Sequence, residues 1–293
     1  MVITNQRILI LGATGLLGSH ITKTFTGLGY EVMTHGFSNR GVDYSCDLSN
    51  PKDTLALFEH VSPAIVINLV ALTNVATCQK DINLAMRLNA QTVGNINTAA
   101  AEKGQRCYIV HISTDHLYDG CGGSKEDDIV LLNNYALTKF AGEIALNNKK
   151  HLILRTNFFG KSLIAYRESF SDWIFRSSRT EAPFYLFDDV WFNPLAMRTL
   201  SEVIALCLKE RLAGTYNLGS SSGMTKADFG IRFLKLIGRY SDKVRTREYA
   251  KSMENLVPRP RHMVTDVTAI QRKLGITLPS LEEEIESVSI DYE

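Results

Sequence analysis

The chain has 293 residues, 45% of them apolar, enough for a sizeable core in one large α/β unit or in two lobes. Its 32 Lys and Arg stand against 31 Asp and Glu, and a formal net charge of +1 gives no electrostatic reason to expect nucleic acid or an anionic membrane surface as partner. The cysteines Cys46, Cys78, Cys107, Cys121 and Cys207 are odd in number, scattered and free of any CxxC pair, which argues against a disulfide framework or a metal site and for a reducing, cytoplasmic home. The apolar run at 8–17 is too short to span a bilayer, and no signal-type cleavage pattern follows it.

In chain order, strands are predicted near 7–11, 31–34, 64–69, 106–112 and 151–154, alternating with helices near 16–26, 51–60, 82–103 and 135–147. That alternation specifies an α/β fold with a Rossmann-type, doubly wound parallel sheet. Ser49-Asn50-Pro51 reads as a helix start, because polar residues cap and proline suits the first turn. Beyond Gly160 the sequence becomes irregular and aromatic, with Phe170, Trp173, Phe184, Trp191 and Phe192, and helices follow near 200–209, 226–237 and 281–288. The expected organisation is a dinucleotide-binding domain over 1–160 and a smaller α/β substrate lobe over 161–293, with residues around 193–220 packing back on the first domain. Ligand is expected in a cleft between them, at the carboxyl ends of the strands.

Gly12-Ala-Thr-Gly15-Leu-Leu-Gly18 follows the first strand and opens a helix, the context in which a glycine triplet signals dinucleotide binding rather than a plain tight turn. Gly12, Gly15 and Gly18 are the main candidates, with Thr14, Leu16 and Leu17 adding backbone donors or lining the site. No acid ends the second strand; Gly36-Phe-Ser-Asn-Arg40 stands there instead. Ser38 and Arg40 can donate to a 2′-phosphate, which favours NADP (NADPH) over NAD, although a loop arginine can also be merely solvated. Asp47, with Leu48 beside it, can bond an adenine amino group or cap a turn.

Tyr135-Ala-Leu-Thr-Lys139 places a phenol and an ammonium on one helix face. A free phenol with a pKa of about 10 is a poor proton donor at neutral pH, and a nearby cation lowers that value. The predicted strand at 106–112 runs into Ser113-Thr114-Asp115, putting hydroxyls at a carboxyl edge. The plainer reading of Tyr135 and Lys139 is an amphipathic helix with a packed tyrosine and a solvated lysine; glycine turn, strand end and spacing together favour the catalytic one.

These segments, with Val66-Ile-Asn-Leu-Val-Ala71, Leu88-Asn-Ala90, His111-Ile-Ser-Thr-Asp-His-Leu-Tyr-Asp-Gly120 and Arg155-Thr-Asn-Phe-Phe-Gly160, resemble the extended short-chain dehydrogenase/reductases, and in particular the dTDP-4-dehydrorhamnose reductase family. The resemblance implies an NAD(P)H-dependent reductase of a nucleotide-activated 4-keto sugar, of the kind used in dTDP-rhamnose biosynthesis. It implies that Thr114 and Tyr135 bond the carbonyl, that Tyr135 gives the proton, and that Lys139 tunes it and holds the ribose. It further implies that Asn89 supports the site, that Asn68, Val70 and Ala71 lie along the cofactor, that no metal takes part, and that the protein forms a homodimer.

Asp189 and Pro194 fit the family pattern, whereas Trp191-Phe192-Asn193 depart from it and leave the sugar open. Lys161, Arg167, Arg176, Arg179, Arg259 and Arg261 are candidate partners of a diphosphate, most of them expected at the surface. Asp115, His116 and Asp119 read as loop-shaping residues. Two other functions compete: a nucleotide-sugar epimerase on the same fold, and a non-catalytic NADP-binding regulatory subunit. A 4,6-dehydratase is disfavoured because His116 stands where a second carboxylate is needed.

Overall fold

The structure, a computed structural model, describes residues 6–38, 41–102, 107–249 and 257–293. Its elements run β1 (Arg7–Leu11), α1 (Leu16–Gly27), β2 (Glu31–Gly36), β3 (Tyr44–Ser45), α2 (Pro51–Val61), β4 (Ile65–Asn68), α3 (Val75–Lys80), α4 (Ile82–Met86), α5 (Thr92–Glu102), β5 (Tyr108–Thr114), α6 (Asn134–Ile144) and β6 (Leu152–Thr156). There follow β7 (Phe158–Phe159), α7 (Phe170–Ser178), β8 (Phe184–Phe187), β9 (Trp191–Phe192), β10 (Leu195–Ala196), α8 (Met197–Lys209), β11 (Gly214–Leu218), β12 (Met224–Thr225), α9 (Lys226–Leu236), β13 (Val244–Arg247) and β14 (His262–Met263). Helices Thr268–Leu274 and Leu281–Ser289 close the chain.

Seven strands form the main sheet in the order β11-β6-β5-β4-β1-β2-β3. β1 pairs in parallel with β2 and with β4, so the strand order reverses there, and the crevice outside the carboxyl ends of β1 and β4 is the ligand position of such sheets. β1, β4 and β5 are buried almost throughout, as strands covered on both faces must be, and β5 buries His111, Ser113 and Thr114 among its apolar residues. Leu9, Val66 and Ile109 from these strands pack with Leu57 and Phe58 of α2 and Val93 and Ile96 of α5.

Contacts divide the chain into two compact units, one of Met1–Thr114, Asn133–Arg155 and Ser201–Tyr216, the other of Asp115–Leu132, Thr156–Leu200 and Asn217–Glu293. The division is interleaved: Asp115–Leu132 sorts with the second unit although it precedes the expected break after 160, whereas Ser201–Tyr216, inside the stretch expected to pack back, sorts with the first. The second unit has its own aromatic core, in which Phe229 lies 4.8 Å from Phe159 and 5.5 Å from Phe192, ring to ring. All five cysteines are unbridged. Among the described residues, no helix is long and apolar enough to cross a membrane.

The single helix expected over 82–103 is interrupted. A π-helical turn, Arg87–Gln91, separates α4 from α5. It carries Asn89, whose buried amide is fully engaged away from its own helix, and π-turns commonly serve such placements. The expected strand at 106–112 lies two residues further on, so Ser113 and Thr114 end β5 within the sheet. Residues 103–106 lie outside the described residues.

Candidate active site

The turn after β1 is built by its glycines. Gly12 has φ +84°, in the left-handed region, and its N–H and that of Ala13 donate to the carbonyl of His35 at 3.0 and 2.9 Å. A Cβ on Gly18 would lie 2.8 Å from Ala13 Cα, so the helix passes the strand end only without one. Side chains cap α2, α3 and α6 through Asn50, Asn74 and Asn133. Gly15 gives α1 no such cap, leaving its first N–H groups available to an anion. This cradle fits a dinucleotide pyrophosphate.

Thr14 and Leu16 are half-buried beside this turn, while Leu17 points into the core and offers only its backbone. Ser38 is exposed just beyond β2, next to the 76%-exposed ring of Phe37. Arg40 lies outside the described residues. Asp47 accepts from the N–H of Ser49 at 2.9 Å, the turn-capping role. The carbonyl of buried Leu48 takes Thr54 Oγ1 and Asn95 Nδ2, so Leu48 ties α2 and α5 to the loop.

After β4, Asn68 Oδ1 accepts from Val70 N–H at 3.1 Å, and Val70 stands against Gly12. The Asn68 amide therefore donates to His111 Nδ1 at 3.0 Å, which puts the imidazole proton on Nε2, buried and without a partner among the described residues. Burial holds His111 well below its usual pKa, with the charge of Lys139 adding to the effect. Ala71 is half-buried beside Leu72. Asn89 accepts from Leu72 N–H at 2.7 Å and donates to Leu72 carbonyl and Thr138 Oγ1 at 3.1 and 3.0 Å. Its part is to fix the loop after β4 to α6.

Asn133 caps α6 by accepting from Ala136 N–H at 2.9 Å, and the helix starts with Tyr135 in its first turn. Tyr135 and Thr114, both buried, belong to the first unit with Lys139. Lys139 is 2% exposed, and its Nζ donates to Ile112 carbonyl at 2.9 Å. The ammonium thus sits at the end of β5, two residues from Thr114. Burial pulls its pKa from 10.5 down to about 8, against the opposing pull of Glu143. Glu143 is buried with Arg155 and Ser113, a cluster assembled from residues distant in sequence and so absent from the expected site. Its one available signal was the spacing of Glu143 one turn beyond Lys139.

In the second unit Asp189 accepts from Tyr249 N–H at 2.6 Å and approaches Arg261 at 3.7 Å. Phe192 is core, whereas Trp191 is 41% exposed. Asn193 is buried and donates to the carbonyls of Ser220 and Thr265, holding two loops together. Asp115 accepts from Asn157, and Asp119 from the N–H groups of Arg261 and His262, as loop-shaping residues do. Of the candidate cations, Lys161 donates to Asp291 carbonyl, Arg176 pairs with Glu168, and Arg167 and Arg179 lie over Tyr166 and Phe175. Arg259 is exposed.

Comparison with known proteins places the chain. It is 30% identical over 236 residues to a dTDP-4-dehydrorhamnose reductase of Escherichia coli K12, covering 76% of each chain. It is 25% identical over 295 residues to the probable low-salt glycan biosynthesis reductase Agl14 of Haloferax volcanii, covering 97% of each. It shares its fold, at TM-score 0.85 and 22% identity, with the crystal structure of dTDP-4-dehydrorhamnose reductase from Bacillus anthracis in complex with NADP, over 98% of this chain and 99% of that one. The family model of the RmlD substrate binding domain matches residues 6–293, and the chain belongs to that family.

Proposed function

We propose that this protein is an NADPH-dependent reductase of a nucleotide-activated 4-keto sugar, with Tyr135, Lys139 and Thr114 as its catalytic residues. The observation that carries the reading is Lys139: an ammonium buried to 2% exposure, one helical turn from Tyr135 and anchored by Ile112 carbonyl at the strand end that bears Thr114. A solvated lysine on an amphipathic helix would not be buried there. The names of the relatives support the reaction, and the NADP of the Bacillus anthracis structure supports the cofactor.

Gly12, Gly15 and Gly18 would receive the pyrophosphate at the N-terminus of α1, with Val70 and Ala71 beside it and Lys139 on a ribose hydroxyl. Ser38 and Arg40 follow β2 where an acid would otherwise exclude a 2′-phosphate, which is the ground for NADP over NAD. When bound, NADPH supplies the hydride to the carbonyl carbon. Thr114 donates a hydrogen bond to the carbonyl oxygen, where negative charge develops. Tyr135 gives its proton to that oxygen, and the Lys139 ammonium stabilises the phenolate left behind.

The test is consumption of NADPH and of NADH with dTDP- and UDP-linked 4-keto sugars. Turnover on at least one sugar, faster with NADPH, is expected. Tight NADPH binding with no turnover on any would replace this reading by the non-catalytic one.

A further inference from the structure

Glu143 follows Lys139 by one turn of α6 and shares its face. Arg155 on β6 grips both of its oxygens, Nε at 3.0 and 3.1 Å and Nη2 at 2.6 Å, and each side chain is 4% exposed. Ser113 Oγ donates to the same carboxylate, and Ser113 stands between Ile112, the acceptor of Lys139, and Thr114. The guanidinium also lies 6.0 Å from the centre of the Phe140 ring.

A buried ion pair is weak ground for stability, since desolvation offsets most of its attraction. This one stands where a second cation is buried. Lys139 feels the charge of Glu143 on its own helix, where Tyr135 stands one turn before it, and acts on His111 of β5, with Arg155 of β6 reaching it through Glu143. His111 is held neutral, so the charges that matter are two cations and one carboxylate.

We propose that the buried Arg155–Glu143 pair sets the charge on Lys139, and through it the pH range in which Tyr135 can give up its proton. This rests on the reading of Tyr135 as proton donor. Glu143 and Arg155 are positioning residues: neither is assigned a contact with substrate or cofactor. The two partners act with opposite signs. Neutralising Glu143 leaves two buried cations to repel, and Lys139 loses its proton more readily. Neutralising Arg155 leaves the carboxylate to Lys139 alone, and the ammonium is retained to higher pH.

The experiment is the pH profile of kcat/KM for the 4-keto sugar in wild type, Glu143→Gln, Glu143→Asp and Arg155→Met, with each fold checked by circular dichroism. The basic limb, a property of the coupled Tyr135–Lys139 pair, should move down by about one pH unit in Glu143→Gln and up by about one in Arg155→Met. Glu143→Asp, which keeps the charge, should restore the wild-type limb. Because the signs differ, either neutralised variant that folds decides the matter. Rates that fall equally at every pH, with unmoved limbs, would make the pair structural and overturn the proposal. Full activity in Tyr135→Phe would instead overturn the reading on which it rests.

Discussion

Each unit buries a glutamate, and the two differ in company. Glu143 in the first is gripped by Arg155 and stands one turn from Lys139. Glu284 in the second accepts from the N–H of Ala196 and from Thr199 Oγ1, joining helix Leu281–Ser289 to β10 and the first turn of α8. Burial of a carboxylate therefore says little by itself. What surrounds it decides whether it can tune a reaction or only tie elements together.

The cations differ in degree. The first unit encloses Lys139 and Arg155 together, while in the second Lys226 is half-buried, and Arg176, Arg232 and Lys243 pair at the surface with Glu168, Glu286 and Glu181, where solvent screens them. Order in the second unit comes instead from rings in edge contact, such as Phe233 against Tyr292 at 5.0 Å.

Glu284→Gln breaks the comparison most sharply. It should lower the free energy of unfolding by about 1–3 kcal/mol, since one buried donor loses its acceptor, yet leave the pH profile of kcat/KM in place. Urea melts and the same profile check it, and a moved limb would erase the distinction drawn between the two glutamates.

A second effect, shared by both units, appears in acid. Burial lowers the pKa of His111 in the first unit and of His116 in the second, the latter from 6.5 to about 3. Below pH 6.5 the unfolded chain binds protons that the folded chain refuses, so stability falls as pH falls, by up to about 1.4 kcal/mol per unit for each histidine. Lys139 acts in alkali: with its folded value at about 8 and its ordinary value at 10.5, stability rises as pH rises across that window. Unfolding midpoints measured from pH 4 to 10 should trace both slopes. A flat profile below 6.5 would mean that the histidines are not held neutral.

Local rules made much of the fold legible. The glycine turn, the cap at Asn50 and the helix that carries Tyr135 and Lys139 each depend on residues close in sequence: Gly12 is left-handed, Asn50 caps α2, and Tyr135 and Lys139 lie one turn apart on α6. What escaped depends on distant partners. Nothing local announces that Asn89 must reach Leu72, so periodicity alone predicts plain helix through the π-turn that carries it. Arg155 meets Glu143 from another strand, and the apolar pattern of β6 conceals a buried charge. Phe192 and Trp191 adjoin, yet one is core and the other is exposed, because successive strand residues face opposite ways.

The central claim is that Tyr135 completes the reduction that the buried lysine prepares. Deuterium transfer from 4-deuterated NADPH to the carbonyl carbon of the 4-keto sugar, followed by mass spectrometry in wild type and Tyr135→Phe, tests it most directly. The account predicts a labelled product from wild type and transfer slower by about 10²–10⁴-fold in Tyr135→Phe, which still binds NADPH. Transfer at the wild-type rate in that variant would contradict it.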